Sequence, residues 1–289
     1  MSPSDCWAEW LARRRFGGDE DVQREAMTRL AEIRDTVLDR AGLAPGETLL
    51  DVGCGEGLIG FGALERGATV VFSDVSQELL DLCSEAAASL GVLDRCLFAR
   101  APADDLSAVD SGSADVVTTR SVLIYVEDKQ RALAEFFRVL RAGGRISLYE
   151  PINRFACPDS PDRFGGYDVT DVDEIAVKLR SLFDELQPES DPMLDFDERD
   201  LLSVCEGAGF FPIELELRAE IRPIEPRRWE TFVDSAGNPK IPTLSEAMAQ
   251  ALDDDERARF TSHLRPLVED GRGTWRMAYA LLRAVKSQR

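Results

Sequence analysis

The sequence is poor in the residues that build metal centres and basic faces. His263 is its single histidine, which excludes a multi-histidine metal site. Lysine is confined to Lys129, Lys178, Lys240 and Lys286, so arginine carries most of the positive charge. The six cysteines, Cys6, Cys54, Cys83, Cys96, Cys157 and Cys205, are scattered and form no C-x-x-C pair, which argues against a zinc ribbon or a redox dithiol. The opening "MSPSDCWAEW" has no basic region followed by an apolar run, so no secretory signal is expected. No apolar run approaches the ~20 residues that span a bilayer. These absences point to a cytoplasmic protein with no membrane partner and no metal. The formal net charge is −20 and the pI about 4.5. Such a surface repels phosphate backbones, so nucleic acid is not an expected partner.

Hydrophobic residues make up 44% of the 289, enough for a full core. Leu30, Ile33, Val37 and Ala41 recur at helical spacing before the turn "AGLAPGE". Then short apolar runs alternate with helical patterns. "TLLDVG", "TVVFSD", "RCLFAR", "ADVVTTR" and "RISLYE" read as strands, and Gln77 to Leu90 and Lys129 to Arg141 as helices closed by glycines. This βαβαβ rhythm predicts a parallel sheet wound on both faces. Beyond residue 150, a Pro/Asp/Gly-rich stretch holds a helix from Val172 to Leu186. Asp197 to Ala208 reads as a helix and "FFPIELELRAEI" as a strand. Another polar, helix-rich stretch precedes "TWRMAYALLRAV". That last segment is strand or helix on pattern alone; a strand is expected, because the sixth strand needs a partner.

The informative stretch is Leu49 to Gly60, "LLDVGCGEGLIG", a strand entering a glycine-rich turn that opens a helix. Gly55, Gly57 and Gly60 satisfy G-x-G-x-x-G, the dinucleotide pattern, and Asp74 lies 19 residues after Gly55. Asp51, Gly53, Gly55 and Gly57 also satisfy D-x-G-x-G-x-G. The first pattern starts two residues late and leaves Asp51 and Gly53 without a role. A carboxylate at the strand end repels a pyrophosphate but suits a ligand bearing an ammonium group. S-adenosylmethionine is such a ligand, having a sulfonium, an ammonium and no phosphate.

On these residues the chain resembles the class I S-adenosylmethionine-dependent methyltransferases. "LLDVGCGEG" resembles their first motif and "VVFSDVS" their second. "ADVVTTRSVLIYVED" and "ALAEFFRVLRAGGRISLYEP" resemble their fourth strand, the following helix and the fifth strand. The resemblance implies an α/β, Rossmann-like, doubly wound and mostly parallel seven-stranded sheet with helical cap insertions. It implies that Asp51, Gly53, Cys54 and Gly55 line the methionine end of the donor, that Asp74 holds the ribose and that Val75 packs on the adenine. Pro102 stands where the family often has an acid before Ala103, so Asp104 is the alternative adenine contact. Arg120 is expected on the sulfonium-facing side of the pocket. The implied organisation is N-terminal helices over 1–47, a donor-binding core over 48–150, and a cap insertion over 151–196. A core helix and strand over 197–222, a second cap insertion over 223–273 and a closing strand and tail over 274–289 complete it.

Methyl transfer from a sulfonium is a direct displacement, so alignment and water exclusion dominate and no protein nucleophile or metal is required. No single residue is assigned as a base. The candidates are His263, on an amphipathic helix, and Tyr125 and Glu150, at the ligand-binding edge of the sheet. Tyr125, Glu150, Asn153 and Arg154 are the acceptor candidates, Glu150 having a cap or an ion pair as its alternative role. Trp7, Trp10, Trp229 and Phe232 are expected to be core. "TTRSVL" replaces the Asn/Asp-Pro-Pro-aromatic run of nucleic-acid amino methyltransferases. The flanks of Cys157 and Cys205 do not match those of arsenite methyltransferases. The expected activity is transfer to oxygen or nitrogen, including carboxylate oxygen, of a small organic or peptide acceptor by a monomer or homodimer. The rivals are an NAD-dependent oxidoreductase and a noncatalytic S-adenosylmethionine-binding protein.

Overall fold

The computed structural model describes residues 5–287. In chain order its helices are α1 (Cys6–Glu9), α2 (Glu20–Ala41), α3 (Leu58–Glu65), α4 (Gln77–Ser89), α5 (Lys129–Val139), α6 (Asp173–Leu186), α7 (Glu198–Gly207), α8 (Trp229–Asp234), α9 (Leu244–Ala251) and α10 (Asp254–Glu269). Its strands are β1 (Thr48–Val52), β2 (Thr69–Asp74), β3 (Cys96–Arg100), β4 (Ala114–Arg120), β5 (Leu140–Pro151), β6 (Arg163–Phe164), β7 (Tyr167–Asp168), β8 (Ile213–Pro223) and β9 (Thr274–Val285). The five core strands form where the apolar runs predict them, and the ambiguous last segment is strand β9, as expected.

Seven strands make one sheet in the order β3-β2-β1-β4-β5-β9-β8. β3, β2, β1, β4 and β5 pair in parallel, whereas β9 runs antiparallel to β5, with Leu281 opposite Tyr149. The chain moves outward from β1 to β3 and then returns to place β4 on the other side of β1. That reversal is the switch point, at whose C-terminal edge open α/β sheets bind ligands. Asp51 and Arg120 stand at that edge on the two adjoining strands.

The chain forms two compact units. One comprises Ala26–Ile152, Phe196–Arg218 and the described residues from Tyr279 on; the other comprises the described residues up to Glu25, Asn153–Asp195 and Ala219–Ala278. In the first unit, Val37, Leu38 and Ala41 of α2 and Ile59 and Ala63 of α3 bury one sheet face with Leu49, Phe72, Val116 and Tyr149. Phe72 stacks on Phe98 with ring centroids 5.5 Å apart, and truncating such a ring to alanine costs about 3–5 kcal/mol. A side chain at Gly60 would collide with the Phe72 ring, so the last glycine of the run is required by the close seat of α3 on β2. Ser76 caps α4 by accepting from Leu79 N at 3.1 Å.

The second unit has its own core. Tyr167, Ile175, Leu179, Trp229, Met248, Phe260 and Leu264 are buried together, with Phe232 packed against them. Trp229 and Phe232 are therefore core residues, and Trp10 Nε1 donates to Ala236 O at 2.8 Å. The β6–β7 hairpin turns at Gly165 and Gly166, both at positive φ, in a Pro/Asp/Gly-rich stretch whose pattern announces no strand. Its strands are two residues long, too short for alternation to register. Among the described residues no helix is long and apolar enough to cross a membrane.

Candidate active site

The site begins where β1 ends. Cys54 N donates to Ser73 O at 2.9 Å, which ties the glycine turn to β2. Gly53 has φ +63°, and a Cβ there would lie 2.5 Å from Val122 Cγ2, so only glycine lets the turn pass beneath the residues that follow β4. Gly57 has φ +79°, and its Cβ would meet the Phe61 ring at 2.5 Å. The turn thus needs glycine for backbone shape and close approach.

Two buried carboxyls hold this turn. Asp74, at the end of β2, accepts from Gly55 N at 2.9 Å through Oδ2 and from Ser76 N at 3.0 Å through Oδ1. One side chain therefore fixes the glycine turn and the start of α4 together. Asp51 is 2% exposed; its Oδ2 accepts from Gly60 N at 3.0 Å and its Oδ1 from Thr118 Oγ1 at 3.1 Å. Burial pushes the Asp51 carboxyl up to about 7, against the lowering effect of these two hydrogen bonds and of the Arg120 charge. Cys54 is also buried, and its thiol and that of Cys83 both face Gly55 O, at 3.7 and 3.3 Å. Its neighbour Cys83 and its burial hold the Cys54 thiol well above its ordinary range, so it is a packing group and not a nucleophile.

The adenine candidates flank this turn. Val75 is 42% exposed although it follows five consecutive buried residues of β2. Ala101 N donates to Asp74 O at 3.0 Å, which carries the chain past β2 into the Pro102–Asp104 segment. There Ala103 is buried, Pro102 exposed and Asp104 half-buried.

The residues after β4 form a second shaped turn. Ser121 has φ 59°, the one positive value outside glycine among the described residues. Its N donates to Tyr149 O at 2.9 Å. Backbone held in that region marks a position the surroundings dictate. Glu150, 1% exposed, dictates it: its carboxyl accepts from Thr119 Oγ1 at 2.6 Å, from Val122 N at 3.1 Å and from Leu123 N at 3.1 Å. Burial raises the Glu150 carboxyl to about 7, and the same three donors oppose the rise. Glu150 is thus a cap for the turn that carries Tyr125. Arg120 and Tyr149 are register partners on β4 and β5. The Tyr149 ring packs on Tyr279 with centroids 4.7 Å apart.

Asp51, Gly53, Cys54, Gly55, Asp74, Val75, Ala103, Asp104, Arg120, Tyr125 and Glu150 all belong to the sheet-bearing unit. Asn153, Arg154 and His263 belong to the other. Asn153 Nδ2 donates to Met193 O at 3.1 Å, and Arg154 is exposed. His263 Nε2 lies 2.9 Å from Asp168 O, a contact that links α10 to β7. Sequence reasoning missed Thr118, Thr119, Ser121 and Val122, which position the two buried carboxyls and the turn. A buried Thr-Thr pair in "VVTTRSV" was the available signal. Among the described residues no group of three or more His, Cys, Asp or Glu side chains is placed to hold a metal ion.

Residues 50–148 match the family described as a methyltransferase domain. The chain is 32% identical over 145 residues to the tRNA 5-carboxymethoxyuridine methyltransferase of Escherichia coli K12, a match covering 50% of this chain and 54% of that protein. The chain thus spans about half the length of the curated relatives it matches. Among solved structures, one from Bacillus halodurans C-125 shares the fold with a TM-score of 0.58 at 18% identity, covering 88% of this chain and 99% of that one. A geranyl diphosphate methyltransferase in complex with S-adenosylmethionine matches with a TM-score of 0.54 at 19% identity, covering 94% of each chain.

Proposed function

We propose that the protein transfers a methyl group from S-adenosylmethionine to an oxygen or nitrogen, carboxylate oxygen included, of a small organic or peptide acceptor. The observation that carries this reading is the pair of buried carboxyls, Asp51 and Asp74, at the glycine turn on the switch point of the sheet. A dinucleotide would bring a pyrophosphate onto Asp51, whose charge repels it. A donor with an ammonium group and no phosphate fits. The positive-φ glycine turn offers backbone N–H groups at a helix start, which suit its carboxylate. Asp74 would take the ribose hydroxyls, Val75 and Ala103 the adenine, Asp104 its amino group, and Asp51 the ammonium.

When bound, the sulfonium supplies an activated methyl group. The work left to this chain is to orient the donor, to seat the acceptor in line and to exclude water. A carboxylate acceptor needs no base. For a hydroxyl or amine acceptor Tyr125 is the candidate to receive the proton, because Glu150 is occupied by the three donors of its turn. The Escherichia coli relative acts, by its name, on a tRNA. A net charge of −20 favours a small acceptor here over a polynucleotide.

The test has two stages. S-adenosylhomocysteine is expected to raise the melting temperature and NAD to leave it unchanged; the reverse would replace the reading with an oxidoreductase. Labelled-methyl transfer is then measured into a metabolite extract and, separately, into bulk tRNA. Label in the small-molecule fraction is expected. Label only in tRNA would overturn the acceptor class, and binding without any transfer would favour the noncatalytic rival.

A further inference from the structure

Two arginines that brace the sheet-bearing unit are held by several protein groups each. Arg138 donates to Glu135, to Val109 O and to Leu106 O. Arg145 grips both Glu47 oxygens at 2.8 and 2.7 Å and also donates to Ala41 O and Gly42 O. Arg120 differs. It is half-buried at the last position of β4, and among the described residues no carboxylate or carbonyl lies within hydrogen-bond or ion-pair distance of its guanidinium.

Its placement is fixed. Side chains alternate along a strand, so Arg120 lies on the same face as Thr118, which bonds Asp51, and opposite to Thr119, which bonds Glu150. Tyr149 is its register partner, and Ser121 turns the backbone immediately after it. The guanidinium therefore sits at the ligand-binding edge of the switch point, on the face of the glycine turn. Burial lowers its proton affinity, and the surrounding Asp51, Tyr149, Tyr125 and Glu150 oppose that. It nevertheless stays charged, as arginine does in proteins. A shielded guanidinium with five donors in a planar fork and no protein acceptor is matched by a two-oxygen anion.

We propose that Arg120 is the oxyanion-binding group of the site and receives a carboxylate or similar anion in bidentate fashion. This rests on the donor-binding reading above. The same chemistry has two sources: the amino-acid carboxylate of the donor, or an oxyanion carried by the acceptor. The donor's sulfonium and ammonium repel a guanidinium, so a matching anion is required in either case.

Calorimetry on wild type, Arg120→Gln and Arg120→Lys separates them. Two donor analogues are titrated: S-adenosylhomocysteine, and methylthioadenosine, which lacks the amino-acid end. If the donor is the source, Arg120→Gln binds S-adenosylhomocysteine at least tenfold more weakly and methylthioadenosine equally well. If the acceptor is the source, both affinities stay within twofold, while oxalate or sulfate binds the wild-type S-adenosylhomocysteine complex and not the variant complex. Arg120→Lys keeps the charge and loses the fork, and an intermediate loss is expected; it also serves if Arg120→Gln fails to fold. Unchanged S-adenosylhomocysteine affinity with no anion binding to the wild-type complex overturns the proposal, as does an equal loss for both nucleosides. Failure of the wild type to bind S-adenosylhomocysteine would instead refute the donor reading itself.

Discussion

Asp51 couples donor binding to pH in a way that can be calculated. Burial raises its carboxyl from 3.8 to about 7 in the folded protein. At pH 6 the free protein therefore holds about 0.9 of a proton there, and at pH 8 about 0.1. An ammonium brought over the glycine turn favours the ionised form and drives the carboxyl back toward its ordinary value. Binding at pH 6 then releases about 0.9 of a proton, and the dissociation constant for S-adenosylhomocysteine is expected to fall about tenfold from pH 6 to pH 8. Calorimetry in buffers of different ionisation enthalpy reads the released proton directly. The heat should vary with buffer at pH 6 and barely at pH 8. Asp51→Asn should bind more weakly at every pH and show no buffer dependence at pH 6. Wild-type heats that do not depend on buffer at pH 6, or a variant that keeps the dependence, would refute the reasoning.

The same carboxyl gives a stability signature of defined sign. An acid whose folded value is raised takes up a proton on folding. Its contribution is most favourable below the unfolded value and is lost as pH rises through about 7. A displacement from 3.8 to about 7 corresponds to about 4 kcal/mol at most, at about 1.4 kcal/mol per unit. Glu150, raised from 4.5 to about 7, acts in the same direction. The melting temperature is expected to fall between pH 5 and pH 8, and Asp51→Asn should flatten that fall.

Three further outcomes are expected. Asp74→Ala removes the acceptor for Gly55 N and Ser76 N, and calorimetry should show S-adenosylhomocysteine binding weakened by about 1–3 kcal/mol. Gly53→Ala forces a Cβ to 2.5 Å from Val122 Cγ2 at positive φ, so donor binding should be lost, with a stability cost of about 1–3 kcal/mol in denaturant titration. Glu150→Ala removes the acceptor of Thr119 Oγ1, Val122 N and Leu123 N, and about 1–3 kcal/mol of stability should be lost in denaturant titration.

The fold was legible in the sequence because its signals are local. Each core strand is a short apolar run ended by glycine or by a charged residue, and β9 was assigned by the demand of a neighbouring strand for a partner. The glycine turn was legible because positive-φ backbone restricts residue type. What escaped is carried by contacts between residues far apart in sequence. Thr118 meets Asp51 across 67 residues, and Thr119 meets Glu150 across 31. The Thr-Thr pair inside an apolar run marks two buried hydroxyls, but nothing local names their partners. One of the two compact units is likewise assembled from three separated stretches of chain.

These long-range contacts also change what the buried acids mean. In the sequence Asp51 reads as the partner of the donor's ammonium and Glu150 as an acceptor candidate or a cap, yet burial raises both to about 7. Their partners separate them. Glu150 accepts from one hydroxyl and two backbone N–H groups that leave its own turn without other acceptors, so its ionisation is tied to the conformation after β4. Asp51 accepts one hydrogen bond at each oxygen, and a carboxylate has about four acceptor sites, so lone pairs remain for a ligand's ammonium. One carboxyl shapes the site and the other is equipped to answer the ligand. A proton released on binding should therefore follow Asp51 and not Glu150.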